Sequence, residues 1–239
     1  MRAKEFLSVR GIDYDSIDVT KNPARLDAAV AKFGLKVLPL VVRGGRAING
    51  QNLSDLASLI DESYDDTPVL APDALVARTD EFLAACRRYA AQFPPDLFNA
   101  QLPYRDWDYR KLVHHVFHIS EVFVNQMSGA GEPPGAAFEM PIPDSLNSFA
   151  ALIEYGEEKR SALAAWWASP DRLDMNVSFS TRAGTRSAHQ VLERACWHIG
   201  QHVRQVEHMI VENGLAPDGP LTQAMLDKLP LPTNVWSDL

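Results

Sequence analysis

The run Cys196-Trp197-His198-Ile199-Gly200-Gln201-His202-Val203-Arg204-Gln205 decides how the larger part of this chain is read. Around it, apolar residues recur at Leu192, Ala195, Ile199, Val203, Val206 and Ile210. That is the three-and-four spacing of one helix face, so a helix is predicted over about 187–213. His198 and His202 sit on the edge of the stripe, and residues four apart project from the same side of a helix. Two imidazoles so placed can share one divalent metal, and a third from a facing helix completes a site with an open position. Spacing alone also admits a plainer reading, two polar residues one turn apart with nothing between them.

The same periodicity marks candidate helices over about 73–93, 106–128 and 144–168. Four long amphipathic helices joined by loops argue for a four-helix bundle, whose core commonly houses metal sites. Within 106–128 the helical phase separates three histidines. His115 shares an apolar line with Leu112, Ile119 and Val122, whereas His114 and His118 share a polar line with Arg110, Glu121 and Asn125. His114 and His118 are also four apart and could in principle share a metal, but the polar line reads first as a solvated face, with His115 the inward histidine. A histidine in a bundle core needs its ring nitrogens satisfied, and a shared metal does so for three at once. His189 and His208 are assigned to the surface. Residues 176–180 and 182–185 suggest a short hairpin between the third and fourth helices.

Residues 1–62 are patterned differently, as short helices alternating with short strands. A helix end is expected over 4–9 and a strand over 13–19. Asn22 is a candidate N-cap, with Pro23 at the first helical position and Gly34 just past the end. The apolar run 37–43 reads as a strand, Gly44-Gly45 as a hairpin turn into Arg46-Ala47-Ile48, and 52–60 as a closing helix. Residues 63–72, acidic and then proline-bearing, read as a linker. The fold class is therefore α+β, with an α/β unit at 1–62 followed by an all-α region at 73–239.

Composition narrows the function classes. A net charge of −8 opposes nucleic-acid binding, which needs clustered Lys and Arg. The two cysteines, Cys86 and Cys196, are far apart and form neither a CxxC pair nor a disulfide framework. No apolar run approaches the ~18 residues of a membrane span, and no secretory h-region follows the charged start. A cytoplasmic protein without membrane partners is the default expectation.

The helical region resembles the DinB/YfiT-like family of metal-binding four-helix bundles. In that family one histidine lies in an "LVxHV"-like pattern on the second helix and two lie in a "WHxxxH"-like pattern on the last. Leu112-Val113-His114-His115-Val116 and Trp197-His198 through His202 match these in order. Trp107-Asp108-Tyr109, and Leu229-Pro230-Leu231-Pro232 followed by Trp236, look similar as well. The resemblance spans about 73–239 and implies a divalent metal on His115, His198 and His202. Imidazole ligands favour zinc or nickel over magnesium. Bundles of this sort often dimerise, so the resemblance allows a homodimer.

Residues 1–62 are similar to the later part of a glutaredoxin. Val37-Leu38-Pro39 matches that family's "TVP", whose proline is cis and whose backbone pairs with the cysteinyl part of glutathione. Gly45-Arg46-Ala47-Ile48-Asn49-Gly50-Gln51-Asn52 matches "GxxIGGxDD", where a helix start holds the glutamyl end. The resemblance implies glutathione contacts at Leu38, Pro39, Gln51 and Asn52. Without it, these residues read as an ordinary strand, turn and N-cap. Asn49 and Asn52 stand where the family has Gly and Asp, and no cysteine precedes Cys86. The family's first strand and CPxC motif are therefore expected upstream of this start, or lost in a degenerate remnant.

The resemblances together imply a transferase or isomerase that uses a divalent metal and a low-molecular-weight thiol, glutathione first, against a small electrophile. A thiol at an open metal position ionises far below its ordinary pKa of ~8.5. Gln205 or Glu121 would orient a ligand histidine. Two other classes stay open: a non-catalytic, metal-stabilised stress-response or interaction protein, and a metal-dependent hydrolase.

Overall fold

The computed structural model describes residues 2–8, 10–19, 21–130, 134–181 and 184–236. The chain divides into two compact units, one of residues 1–67 with 179–186, the other of residues 68–178 with 187–239.

In the first unit, α1 (Arg2–Ser8), α2 (Pro23–Phe33), β1 (Leu40–Arg43), β2 (Arg46–Asn49) and α3 (Leu53–Leu59) follow in order. Strands β1 and β2 pair antiparallel, Leu40 opposite Asn49 and Arg43 opposite Arg46. Gly44, in the left-handed region at φ 59°, makes the reversal. The small core joins Ala3, Phe6 and Leu7 of α1 to Leu53, Leu56 and Ala57 of α3, with Val41 and Ile48 of the hairpin packed against them. Asn52 caps α3 through the amides of Ser54 and Asp55. Helix α2 ends as expected, with left-handed Gly34 donating to Val30 O. Asn22 makes no side-chain cap bond, and its amide donates instead to Asp18 O.

The strand expected over 13–19 does not form. Residues 13–18 are irregular and exposed, because three aspartates in six residues offer neither β-propensity nor a face to bury. A second hairpin, β3 (Ser178–Thr181) with β4 (Gly184–Ser187), forms near the hairpin expected between the last two helices, and residues 179–186 group with this first unit. Its Arg186 donates to Asn52 Oδ1 at 2.7 Å and pairs with Asp66 at 3.6 Å. Among the described residues, β-structure is limited to these two small hairpins and one isolated bridge, and a thioredoxin-like sheet is not established.

The second unit holds four long helices, α4 (Pro72–Gln92), α5 (Tyr109–Met127), α7 (Phe149–Ala168) and α8 (Ala188–Glu212), with short α6 (Pro134–Ala137) and α9 (Gln223–Leu226). Helices α4 and α5 each pack against both α7 and α8. Leu83, Leu112, Phe117, Leu152, Leu163, Leu192 and Ile199 are fully buried between them. Side-chain caps set the helix starts. Asp108 accepts from Lys111 N, Ser148 accepts from Ala151 N, and Ser187 with Gln190 forms a reciprocal capping box at the head of α8.

Two glycines allow the helices to approach this closely. A Cβ on Gly156 would fall 2.6 Å from the Phe117 ring, and one on Gly200 would fall 2.8 Å from Phe82. Gly200 lies in α8 between His198 and His202, and Phe82 is fully buried. Gly200→Ala gains about 1 kcal/mol of helix propensity. Overpacking against an immobile ring costs more, so a net loss of about 1–2 kcal/mol is expected in urea denaturation.

Candidate metal centre

His115 projects from α5 and His198 and His202 from α8, and one ring nitrogen of each lies within 4.8 Å of the other two. The ring centroids are 5.2 Å apart for His115–His198 and 4.8 Å for both pairs that involve His202. This is the only group of three or more His, Cys, Asp or Glu among the described residues with such a spacing. Three nitrogens converging, with no fourth His, Cys, Asp or Glu beside them among the described residues, suit an open divalent site rather than a closed structural one.

The protonation states also suit a metal. Burial pushes His115 and His198 well below the ordinary imidazole pKa, and the neighbouring triad rings push in the same direction. Both are neutral at pH 7, the form that carries a ligating lone pair. His202 is buried and its Nδ1 lies 2.7 Å from Gln205 Oε1. The Gln205 amide donates its Nε2 to Val235 O, which makes Oε1 the acceptor for His202 Nδ1–H. Nε2 is then the nitrogen of His202 that carries the lone pair, and Gln205 fixes that tautomer and the ring's orientation.

Trp197 stacks beside His198 at 5.9 Å on α8, and two aromatic side chains from outside that helix also stand beside the triad. Trp107 meets His115 at 5.0 Å and His202 at 5.8 Å between ring centroids. Phe138, just after α6, meets His115 at 5.4 Å and His198 at 6.3 Å.

The polar line of α5 is not a solvated face. His114 is buried, stacked on Tyr155 of α7 and on His118, and burial lowers its pKa to about 4. Glu121 does not orient the triad; it accepts from His118 Nδ1 at 2.9 Å, Tyr155 OH at 2.7 Å and Lys159 Nζ at 2.8 Å. The His118 bond, ahead of Lys159 and Tyr155, holds its carboxyl well below the usual range. Burial pulls the His118 pKa down, yet bonds to Glu121 and to Ala137 O at 3.1 Å outweigh it and leave it raised. An imidazole donating from both nitrogens has no lone pair for a metal, which sets His118 apart from His115. The reason for the misreading is that α7 covers this face, and one helix's periodicity does not show which neighbour lies against it.

The remaining histidines are engaged elsewhere. His189 Nε2 donates to Leu70 O at 2.8 Å, and His208 lies against Tyr104, Glu212 and Trp236. Cys86 and Cys196 are buried free thiols, and desolvation raises both, Cys196 to about 12. Neither is a ready nucleophile.

In the first unit, the structure brings Leu38, Pro39 and Gln51 together. The Leu38–Pro39 peptide is cis, Gln51 Nε2 donates to Leu38 O at 2.8 Å, and Gly50 N donates to Pro39 O at 2.8 Å. Asn52 is engaged in capping α3 and in accepting from Arg186.

No protein-family model matches this chain, and no curated protein matches it in sequence. What stands is a mostly helical protein with a histidine triad able to hold a metal, compatible with a DinB-like bundle. Among the described residues, no helix is long and apolar enough to cross a membrane.

Proposed function

We propose that the protein is a metal-dependent, thiol-dependent transferase or isomerase of the DinB/YfiT-like kind, acting on a small electrophile. The observation that carries this reading is the three-nitrogen convergence of His115, His198 and His202, which no fourth His, Cys, Asp or Glu joins among the described residues. Zinc or nickel fits such an imidazole set. A bound ion of this kind supplies Lewis acidity, which lowers the pKa of a thiol entering the open position. The chain supplies the rest. Gln205 fixes the His202 tautomer, burial keeps His115 and His198 neutral, and Trp107 and Phe138 give apolar walls against which an electrophile can lie. Because Cys86 and Cys196 are buried with raised pKa values, the nucleophilic sulfur is read as coming from a cosubstrate.

Glutathione is the first thiol to test, on the similarity of residues 37–52 to a glutathione pocket. To pair with Leu38 O it would have to displace the Gln51 amide that occupies that carbonyl. The test is metal-loaded full-length protein against activated halides, epoxides and maleyl-type acids, with and without glutathione, mycothiol or bacillithiol. Electrophile loss is expected only when a thiol is present. Turnover without any thiol would favour a hydrolase, and inactivity throughout with metal bound would favour a non-catalytic, metal-stabilised protein.

A further inference from the structure

Phe138 is 39% exposed, while its neighbour Ala137 is buried at 7%. A large aromatic ring at a surface would be unremarked if it faced only solvent. This one lies beside two of the three triad imidazoles, 5.4 Å from His115 and 6.3 Å from His198 between ring centroids, and 5.7 Å from His118 as well. Trp107 borders the triad from the side of His115 and His202. The triad is thus flanked by aromatic rings, Trp107 and Phe138 from other segments and Trp197 from α8 itself, and Phe138 is the exposed one among them.

The wall at Phe138 is held from behind. His118 Nε2 donates to Ala137 O, the carbonyl directly before Phe138. His118 is itself fixed through Nδ1 by Glu121, which Tyr155 and Lys159 of α7 hold in turn. The network therefore joins α5 and α7 to the backbone that presents the ring. A side chain backed by a fully bonded network gives way less than one on an untethered loop.

We propose that Phe138 is a specificity-determining residue, setting how much bulk a thiol can carry beside its sulfur when it enters the triad, and that the Glu121 network positions it. The inference rests on the reading that the triad accepts a thiol. Glutathione, with its sulfur on an unbranched methylene, passes such a wall, whereas a thiol with a quaternary carbon at sulfur meets the ring.

The matched probes are N-acetylcysteine and N-acetylpenicillamine, which differ by two methyl groups on the sulfur-bearing carbon. Their binding to cobalt(II)-loaded full-length protein is read from the sulfur-to-cobalt charge-transfer band, without turnover. Wild type is expected to bind N-acetylcysteine more tightly by about tenfold, the scale at which a pocket wall discriminates small apolar groups. Phe138→Ala is expected to bring the two within about twofold while cobalt is still bound. Glu121→Gln should narrow the ratio part of the way with Phe138 still present. A purely structural Glu121 would lower stability and leave the ratio where it was, which would overturn the positioning role. An unchanged ratio in Phe138→Ala, with cobalt and thiol both bound, would overturn the inference alone. Absence of cobalt uptake or of any thiol binding in wild type would overturn the function proposed above, and this inference with it.

Discussion

Wild-type protein is expected to keep about one divalent ion per chain through exhaustive dialysis, and the doubly substituted His198→Ala, His202→Ala protein none. The two residues supply two of three ligand nitrogens from a single turn of α8, so their loss leaves one imidazole, too few to hold the ion against dialysis. Among single substitutions, His115→Ala should weaken binding far more than His114→Ala or His118→Ala. His114 faces Tyr155 and His118 spends both nitrogens on Glu121 and Ala137 O. Gln205→Ala, which frees the His202 tautomer without removing a ligand, should cost about 10–100-fold. Ion held at 100 times its dissociation constant stabilises the fold by about 2.7 kcal/mol, so chelator should lower the melting temperature of wild type and leave the double variant unmoved. Elemental analysis and chelator competition measure the two effects. Full metal content in the double variant would place the ion elsewhere, and a damaging His118→Ala with a harmless His115→Ala would reverse the helical phase of α5.

What the sequence disclosed of this site follows from what periodicity measures. The apolar stripe on α8 placed His198 and His202 on one edge, and the line through Leu112 and Ile119 put His115 on an inward face; the structure brings all three together. Helix starts were less legible: Asp108 and Ser148 cap helices that begin at Tyr109 and Phe149, later than the expected 106 and 144, whereas the start expected at 187 falls on the Ser187 cap. Contacts between helices were not legible. Tyr155 and Lys159 lie one turn apart in the sequence, but nothing in their own helix says that Glu121 of another stands between them. Gly200 could be seen in the motif, yet its reason, the Phe82 ring 2.8 Å from where a Cβ would sit, belongs to α4. Phe138 carried no signal, since it lies outside every periodic segment. In the first unit the apolar content of 13–19 suggested a strand that three aspartates deny. The later hairpin groups with that unit through residues such as Arg186, a long-range pairing that local pattern cannot report.

Glu121→Gln is expected to destabilise the protein by about 2 kcal/mol at pH 6, the second large effect. The carboxylate takes three donors, two of them cationic, and its side chain is 27% exposed while those of His118 and Lys159 are 16% and 18% exposed. Removing the charge leaves an imidazolium and an ammonium in partly desolvated surroundings, which costs about 3–5 kcal/mol for a deeply buried pair and less here for solvent screening. The pH dependence has a definite sign. The Glu121 pKa is depressed in the fold, so its contribution is complete above the ordinary carboxylate value and is lost as pH falls below it toward the folded value. The His118 pKa is raised, so its contribution is complete below the ordinary imidazole value and is lost as pH rises through the folded one. Both groups contribute fully between about pH 4.5 and 6.5, the ordinary values of the two side chains. The stability gap between wild type and Glu121→Gln should be widest in that window and narrow on either side, only in part above it because Lys159 still pairs with the carboxylate, in urea titrations with chelator present to keep metal binding out of the comparison. A gap that does not vary with pH would mean that Glu121 is held by its hydrogen bonds alone and that His118 is neutral beside it.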